Sequence, residues 1–313
     1  SRFWARAKGP KLADASSEAA ASSFLVIITG LAGLIHQNRR CPALLPRCSW
    51  YTMSSSRKSS GGEDSEGKTY KDVGELWQKE LGGKDGRSGW YARATNYWEK
   101  QQASVDGVLG GYPETSGPDL RESKRFLELI KKAPSPPHFG TALDCGAGIG
   151  RVTAGLLLHH FKRVDLVEPN RRLLETAQRE ITDKRAGEFI NSPLQEFEPA
   201  AATYDVIWAQ WVLLYLTDED LHDFLQRCRK ALKRGGMICA KENVVIKGNW
   251  TVDKEDNSIS RTDAQYKAIF ERAGFSVEHE LKQTCWPQDL IPVKMYALRP
   301  RAAMKRPASA LAE

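Results

Sequence analysis

The chain has 313 residues, with 46 Lys and Arg against 39 Asp and Glu and a formal net charge of +7 at neutral pH. Up to Met53 it carries seven basic and two acidic residues, and after Met53 it carries 39 and 37, so most of the excess charge lies in the first segment. Nucleic acids are held by clustered Lys and Arg, so the nearly neutral body gives no reason to expect such a partner. Six scattered cysteines without a CxxC pair argue against a disulfide framework and a structural zinc site, and no metal site is expected.

Residues 1–52 differ in composition from the rest. Their apolar run FLVIITGLAGLI, at residues 24–35, is too short to span a bilayer but suits the apolar core of a signal or transit peptide. The alternative is a gene-model artefact, with translation beginning at Met53. We expect a cytoplasmic or nuclear domain without a membrane span, and organelle targeting by residues 1–52 stays open.

Residues 53–68 are rich in Ser, Gly and charge, which predicts a disordered linker. A helical cap is predicted over residues 69–133. Two sets of residues at helical spacing define its first helices: Val73, Leu76, Trp77 and Leu81, then Trp90, Ala94, Tyr97 and Trp98. A glycine-broken loop at residues 106–112 and a helix at residues 123–132 follow, and the prolines of KKAPSPPHFG end that helix.

From residue 141 onward, strands and helices alternate. Apolar runs predict strands at residues 142–145, 163–167, 205–208, 236–240, 275–280 and 293–299, and helical patterns lie between them. This alternation predicts an α/β fold with a doubly wound, mostly parallel sheet. The last two strands should form an antiparallel hairpin at its edge. The domain spans residues 69–300, and a flexible tail follows at residues 301–313.

The run LDCGAGIGR, at residues 143–151, joins the first of these strands to a helix. Its glycines Gly146, Gly148 and Gly150 allow a tight turn and a close approach of the backbone to a ligand at the helix N-terminus. The spacing GxGxG differs from the GxGxxG of a nicotinamide site. Alone, the loop indicates only a nucleotide-like ligand.

Two acidic residues narrow the ligand to S-adenosylmethionine. Asp144 precedes the first glycine, where a carboxylate favours a cationic sulfonium and ammonium. Glu168 closes the next strand, where a carboxylate can accept hydrogen bonds from both ribose hydroxyls. Arg151, at the start of the helix, could pair with the carboxylate of the cofactor or be an ordinary exposed arginine. Leu194 and Gln195 follow the third strand of the sheet, which the pattern leaves without a range between residues 167 and 194, and there an adenine ring would be covered.

The segment after the fourth strand, at residues 205–208, bears on the substrate. Amino methyltransferases of nucleic acids carry (N/D)PP(Y/F) there, whereas this chain has AQWV at residues 209–212, which disfavours that class. Trp211 could stack on a substrate or attract a developing cation. Trp208 is more simply explained as a core residue.

Several segments together resemble the protein alpha-N-terminal methyltransferases: YWEKQQASVDGVLGGY, ALDCGAGIGRVTAGLLL, YDVIWAQWVLLYLTD, RCRKALKRGGMI and KENVV. The resemblance runs from about residue 89 to residue 299. This family methylates the α-amine of proteins that begin Xaa-Pro-Lys once the initiator Met is removed. The resemblance implies a class I methyltransferase fold with a Rossmann-like, seven-stranded sheet, S-adenosylmethionine as cofactor and protein N-terminal peptides as partners.

The resemblance also implies roles for individual positions. Cofactor contacts are implied for Gly146, Arg151, Glu168 (an Asp in better-known members), Leu194, Gln195 and Gln210. Trp98 and Leu109 match cap residues that close over the cofactor and the peptide, and Leu290 matches a residue beside the peptide groove. Trp211 and Asn243 match the residues that seat the first residue and the proline. Asp253 and Asp256 match acids that receive the substrate lysine or take up the amine proton; without the resemblance they would be read as a solvated acidic loop.

Tyr215 departs from the family pattern, because familiar members carry there a histidine assigned as a general base. Tyrosine titrates near 10 in peptides and is a poor base at neutral pH, whereas an α-amine titrates at about 7.7–8.0. We therefore expect Asp256 to accept the proton, Asn243 to orient the amine and Tyr215 to hydrogen-bond or relay.

Two other functions remain open on the sequence. The chain could methylate a small metabolite amine in a closed apolar site, or it could be a non-catalytic module that binds S-adenosylmethionine. A monomer or a weak homodimer is expected in each case.

Overall fold

The computed structural model of the protein describes residues 61–301. The predicted leader at residues 1–52, the first part of the predicted linker and the tail from residue 302 lie outside the described residues.

The described chain contains the following elements. The strands are β1 (Gly62–Asp64), β2 (Thr69–Tyr70), β3 (Thr141–Cys145), β4 (Arg163–Val167), β5 (Ala186–Ile190), β6 (Tyr204–Gln210), β7 (Leu232–Asn243), β8 (Trp250–Asp253), β9 (Ser258–Ser260), β10 (Phe275–Lys282) and β11 (Val293–Pro300). The α-helices are α1 (Val73–Leu81), α2 (Gly86–Lys100), α3 (Val105–Val108), α4 (Ser116–Lys131), α5 (Arg151–Gly155), α6 (Arg171–Glu180), α7 (Asp218–Ala231) and α8 (Asp263–Arg272).

Seven strands form the main sheet in the order β10-β11-β7-β6-β3-β4-β5. The five strands from β7 to β5 are parallel, and β11 and β10 extend the sheet as an antiparallel hairpin. The predicted doubly wound, mostly parallel sheet and its antiparallel edge are confirmed. The sequence pattern does not give the range of β5.

Alternating residues of the strands build two hydrophobic layers, as expected from the two-residue period of a strand. Leu143 and Ile207 belong to the layer beneath α7 and α8. Ala142 and Val206 belong to the opposite layer, which also contains Phe126 of α4. The sheet is therefore covered on both faces, which explains why its strands are apolar runs.

Helix α4 corrects the predicted extent of the helical cap. Its residues Phe126, Leu127 and Ile130 are fully buried in the layer that covers the sheet. Periodicity gives the apolar face of a helix but not the surface that this face covers. The cap is therefore formed by α1, α2 and α3 together with a second, small sheet.

The small sheet has the order β2-β1-β8-β9, and its strand β1 contradicts the predicted disorder of the linker at Gly62–Asp64. Strand β1 pairs in parallel with β8, so Gly62 lies opposite Trp250. A Cβ atom at Gly62 would lie 2.3 Å from the indole ring of Trp250, so the absence of a side chain permits this packing. The partner strand is distant in sequence, and local composition could not indicate it.

Among the described residues, none of the helices has the length and the apolar character that a bilayer crossing requires. In the same range, no group of three or more His, Cys, Asp and Glu side chains is arranged as a metal site.

Candidate active site

A deep cavity lies at the carboxyl ends of β3, β4 and β6, beneath α2. In the main sheet β3 lies between β4 and β6, so the strand order reverses at β3. Ligands of doubly wound sheets bind at such a switch point, beyond the carboxyl ends of the strands. The cavity, its mouth included, has an empty volume of about 1140 Å³. Its wall contains most of the predicted cofactor residues, namely Gly146, Gly148, Arg151, Glu168, Leu194, Gln195 and Gln210.

The glycine loop has the left-handed backbone that its sequence predicts. Gly146, Gly148 and Gly150 have φ of 70°, 56° and 77°. The amide of Gly146 donates to the carbonyl of Val167, at the end of β4, over 2.9 Å. Gly150 is not part of the cavity wall, and its lack of a side chain serves packing: a Cβ there would lie 2.4 Å from Cδ1 of Ile181.

We expect Gly150→Ala to destabilise the fold by about 2–4 kcal/mol, because it combines left-handed strain with overpacking. Gly148→Ala is the matched control, since its φ is also positive but its Cβ would meet only Val108, at 3.7 Å. Thermal unfolding should give a melting temperature that falls from wild type to Gly148→Ala to Gly150→Ala. Equal melting temperatures for the two variants would show that Ile181 yields at no cost.

Glu168 joins the glycine loop to the end of β4. Its Oε2 accepts a hydrogen bond from the amide of Gly148 at 2.9 Å, and its Oε1 accepts one from the amide of Asn170 at 2.8 Å. Burial raises the pKa of Glu168 to about 7. Each carboxylate oxygen keeps a further lone pair for a ligand hydroxyl.

Asp144 does not have the place that the sequence analysis gave it. Its side chain is buried and accepts a hydrogen bond from Thr153 at 2.6 Å. Burial raises its pKa to about 6. Asp144 is outside the cavity wall, since the side chain turns toward α5 behind the loop, and it holds that loop in place.

Asp119 was missed by the sequence analysis. This fully buried carboxylate, in the first turns of α4, contacts Nη1 of Arg151 at 2.8 Å and Nζ of Lys241 at 2.5 Å. It also accepts hydrogen bonds from Nε2 of Gln210 at 2.9 and 3.0 Å. Burial alone would raise the pKa of Asp119, but the positive charges of Lys241 and Arg151 outweigh it and hold that pKa below its usual value. Nothing in the local sequence around Asp119 indicates these partners.

The cap and the end of β6 supply an aromatic wall. Trp98, Trp211 and Tyr215 all face the cavity, and the rings of Trp98 and Tyr215 meet edge to face with centroids 6.3 Å apart. Trp208 is fully buried, which confirms its assignment to the core. Tyr91 also faces the cavity and was not predicted; its hydroxyl donates to Asp220 at 2.5 Å.

Leu109 and Leu290 lie outside the cavity wall. They form a separate apolar cluster with Leu214, against which Trp211 and Tyr215 pack. Trp286, from the loop between β10 and β11, joins this cluster with its ring centroid 5.9 Å from that of Trp211. The resemblance had implied a peptide-facing position for Leu109 and Leu290, and this cluster adjoins the cavity through Trp211 and Tyr215.

Asp256 lies behind Tyr215 and is not a solvated residue. It is 1% exposed, and its Oδ2 accepts a hydrogen bond from the hydroxyl of Tyr215 at 3.1 Å. Burial raises the pKa of Asp256 to about 7, and burial likewise raises the pKa of Tyr215 well above its usual value. Asp253, at the end of β8, is half-buried, and its Oδ1 accepts a hydrogen bond from the amide of Glu255 at 2.9 Å.

The loop that carries Asp256 is held against α2. Asn257 has a φ of 54°, and its Nδ2 donates to the carbonyl of Trp90 over 3.1 Å. The indole nitrogen of Trp90 donates in turn to the carbonyl of Tyr215 at 2.8 Å. These two bonds fix the acid and the tyrosine relative to one cap residue.

Asn243 ends β7 and is fully buried. Within residues 61–301, neither Oδ1 nor Nδ2 of Asn243 has a hydrogen-bond partner. The preceding Glu242 points the other way, where its Oε1 accepts hydrogen bonds from the amides of Val212 and Leu213 at 3.0 and 2.8 Å. Glu242, another residue that the sequence did not indicate, thus holds the turn that follows Trp211.

Residues 86–299 match the profile of a protein family described as AdoMet-dependent proline di-methyltransferases. The chain is 42% identical over 250 residues to alpha N-terminal protein methyltransferase 1 of Arabidopsis thaliana, a match that covers 76% of this chain and 90% of the relative. It is also 42% identical over 191 residues to N-terminal Xaa-Pro-Lys N-methyltransferase 1-B of Xenopus laevis, which covers 60% of this chain and 85% of that protein.

A solved structure shares the fold. A SAM-dependent methyltransferase of Leishmania major superposes with a TM-score of 0.73 at 40% identity, over 80% of this chain and 100% of that one.

Proposed function

The chain belongs to the family of AdoMet-dependent proline di-methyltransferases, and on that premise we propose that it methylates the α-amino group of proteins whose N-terminus reads Xaa-Pro-Lys. The methyl donor is S-adenosylmethionine. The observation that carries the proposal is the arrangement of Tyr215 and Asp256 beside the cofactor cavity, where a buried acid with a raised pKa adjoins the wall.

The residues of the cavity fit the cofactor. Gly146 lines the cavity without a side chain, so its backbone is open to close approach by the cofactor. Glu168 would hold the ribose hydroxyls, and Arg151 and Gln210 would hold the carboxylate of the amino-acid end. Leu194 and Gln195 would cover the adenine. The bound cofactor supplies an electrophilic methyl group. Side chains of this chain seat the peptide and remove the proton of its amine.

The acceptor end of the site suits an N-terminal peptide. Trp211, packed against the cluster of Leu109 and Leu290, offers an apolar surface for a proline ring. Asn243 does not line the cavity, but neither of its amide atoms has a partner within residues 61–301, so a peptide backbone that reached it would satisfy a buried amide. Asp253 would receive the charge of a lysine at the third position.

Removal of the amine proton falls to Asp256. The substrate amine titrates at about 7.7–8.0, so it reaches the site largely as an ammonium at neutral pH. Asp256, with a pKa of about 7, is half ionised there and matches that amine closely enough to exchange a proton. Tyr215 cannot serve as the base, because burial raises its pKa, but its hydroxyl orients the carboxylate.

The substrate class is tested with peptides that differ in one feature. We expect a Ser-Pro-Lys peptide to be methylated, its N-acetylated form to be inert, and a peptide with Glu in place of Lys to have a kcat/KM at least about tenfold lower, since it would place a carboxylate beside Asp253. Initial rates measured by mass spectrometry give the ranking. If no peptide is methylated while S-adenosylmethionine still binds, the acceptor is another amine or the chain has lost turnover, and the proposal fails.

A further inference from the structure

Asp119 lies behind the cavity wall and contacts three side chains from three different elements. Arg151 begins α5, Gln210 ends β6 and Lys241 lies near the end of β7. All three bind the same carboxylate at distances between 2.5 and 3.0 Å. Asp119 itself does not face the cavity, whereas Arg151 and Gln210 do.

Hydrogen bonding fixes which way the amide of Gln210 points. The indole nitrogen of Trp208 can only donate, and it donates to Oε1 of Gln210 at 3.1 Å. An ionised Asp119 can only accept, and it takes Nε2. The amide therefore cannot flip without losing both partners, and Gln210 lines the cavity in this fixed orientation.

Charge in the cluster also has a direction. The carboxylate of Asp119 faces two cations, Arg151 and Lys241. Among the described residues, Nζ of Lys241 has no other acid within 4.0 Å, and it also donates to Oγ of Ser123 at 2.9 Å. Both cations lie over the indole of Trp211, at 5.7 Å for Arg151 and 5.9 Å for Lys241. Of these two cations Arg151 lines the cavity, where its positive charge favours an anionic group of a ligand.

We infer that Asp119 is a positioning residue that aims Arg151 and Gln210 at the carboxylate of the amino-acid end of the cofactor. Removing its charge weakens the hold on both donors and leaves Arg151 and Lys241 to repel each other. The inference rests on the cofactor of the proposed function but not on its peptide substrate. It concerns one end of the cofactor, so the adenosine end should be insensitive to Asp119.

The test compares two ligands that share adenosine and differ in the amino-acid end. S-adenosylhomocysteine carries the carboxylate, and 5′-methylthioadenosine lacks it. For Asp119→Asn we expect calorimetry to show at least a tenfold weaker affinity for S-adenosylhomocysteine, the order expected for a lost hydrogen bond to a charged group. The affinity for 5′-methylthioadenosine should stay within about twofold of wild type, as expected for a contact that this ligand never makes. No peptide is needed, so failure of the proposed acceptor does not affect the readout.

Asp165→Asn is the matched control. Asp165 is another buried carboxylate paired with an arginine, Arg163, but it lies outside the cavity wall. Its variant should bind both ligands as wild type does. If Asp119→Asn fails to fold, Asp119→Glu replaces it, because the charge is kept while the longer arm displaces Arg151 and Gln210. Equal losses for both ligands, or wild-type affinity for S-adenosylhomocysteine in a folded Asp119 variant, would overturn the inference.

Discussion

Replacing Asp256 with Asn lowers kcat/KM for a Ser-Pro-Lys peptide by about 10²–10⁴, the range expected for loss of a general base. Asparagine fills the same space and keeps an oxygen for the amide of Ser258, which now donates to Oδ1 of Asp256 at 3.0 Å. What it cannot do is accept the ammonium proton. Tyr215→Phe leaves the carboxylate in place and should cost about tenfold, the low end of the range for one hydrogen bond to a charged group. Single-turnover rates rank the two variants, and a larger loss for Tyr215→Phe would assign the proton to the tyrosine.

The pH dependence gives an independent test of the same assignment. Burial raises the pKa of Asp256 to about 7, so its basic form is present above pH 7 and is lost as the pH falls through that value. The acid limb of the wild-type kcat/KM profile should therefore have its midpoint near 7. In Asp256→Asn only the neutral amine reacts, and the midpoint moves up to the range of the free amine, about 7.7–8.0. In Tyr215→Phe the limb should also move up, because the hydrogen bond from Tyr215 lowers the pKa of Asp256. An unchanged midpoint in all three proteins would exclude Asp256 as the titrating group.

Replacing Glu168 with Ala should weaken the binding of S-adenosylmethionine by about 100-fold, the value of two hydrogen bonds to a charged group at about 1.5 kcal/mol each. Burial raises the pKa of Glu168 to about 7. Because the ribose needs the ionised form, wild-type affinity should fall as the pH drops through 7, and Glu168→Ala should lose this dependence. Unlike Asp119→Asn, the variant should weaken 5′-methylthioadenosine equally, since that ligand keeps the ribose.

Glu168→Asp is the control, because it keeps the charge on a shorter arm. Calorimetry should place its affinity within about tenfold of wild type, a loss of one bond or less. If Glu168→Ala binds S-adenosylmethionine as tightly as wild type, Glu168 does not contact the cofactor and only accepts hydrogen bonds from the amides of Gly148 and Asn170.

The parts of the fold that sequence predicted are those encoded locally. Apolar runs located the central strands, because parallel strands buried on both faces are nearly continuous in hydrophobicity. Strand β5 was not predicted, because its residues AGEFI include glycine and glutamate and none of them is fully buried. Strand β1 was not predicted, because its partner β8 is distant in sequence and lies beside it only in the folded chain.

The same distinction holds in the site. The glycine loop and Glu168 are adjacent in the motif, so their spacing alone predicted a shared ligand. Asp119 could not be predicted, since its three partners lie between 32 and 122 residues away along the chain. Asp144 was assigned to the ligand because sequence gives the position of a side chain but not its direction. Only the structure shows it turned to Thr153.

The central claim is that the methyl group goes to the α-nitrogen of a peptide. The most direct measurement uses S-adenosylmethionine with a deuterated methyl group and a Ser-Pro-Lys peptide, followed by tandem mass spectrometry. The label should appear in the fragment that contains only the first residue, and Asp256→Asn should reduce its rate of appearance. Label on the lysine side chain, or none on a peptide in the presence of cofactor-bound protein, would contradict the account.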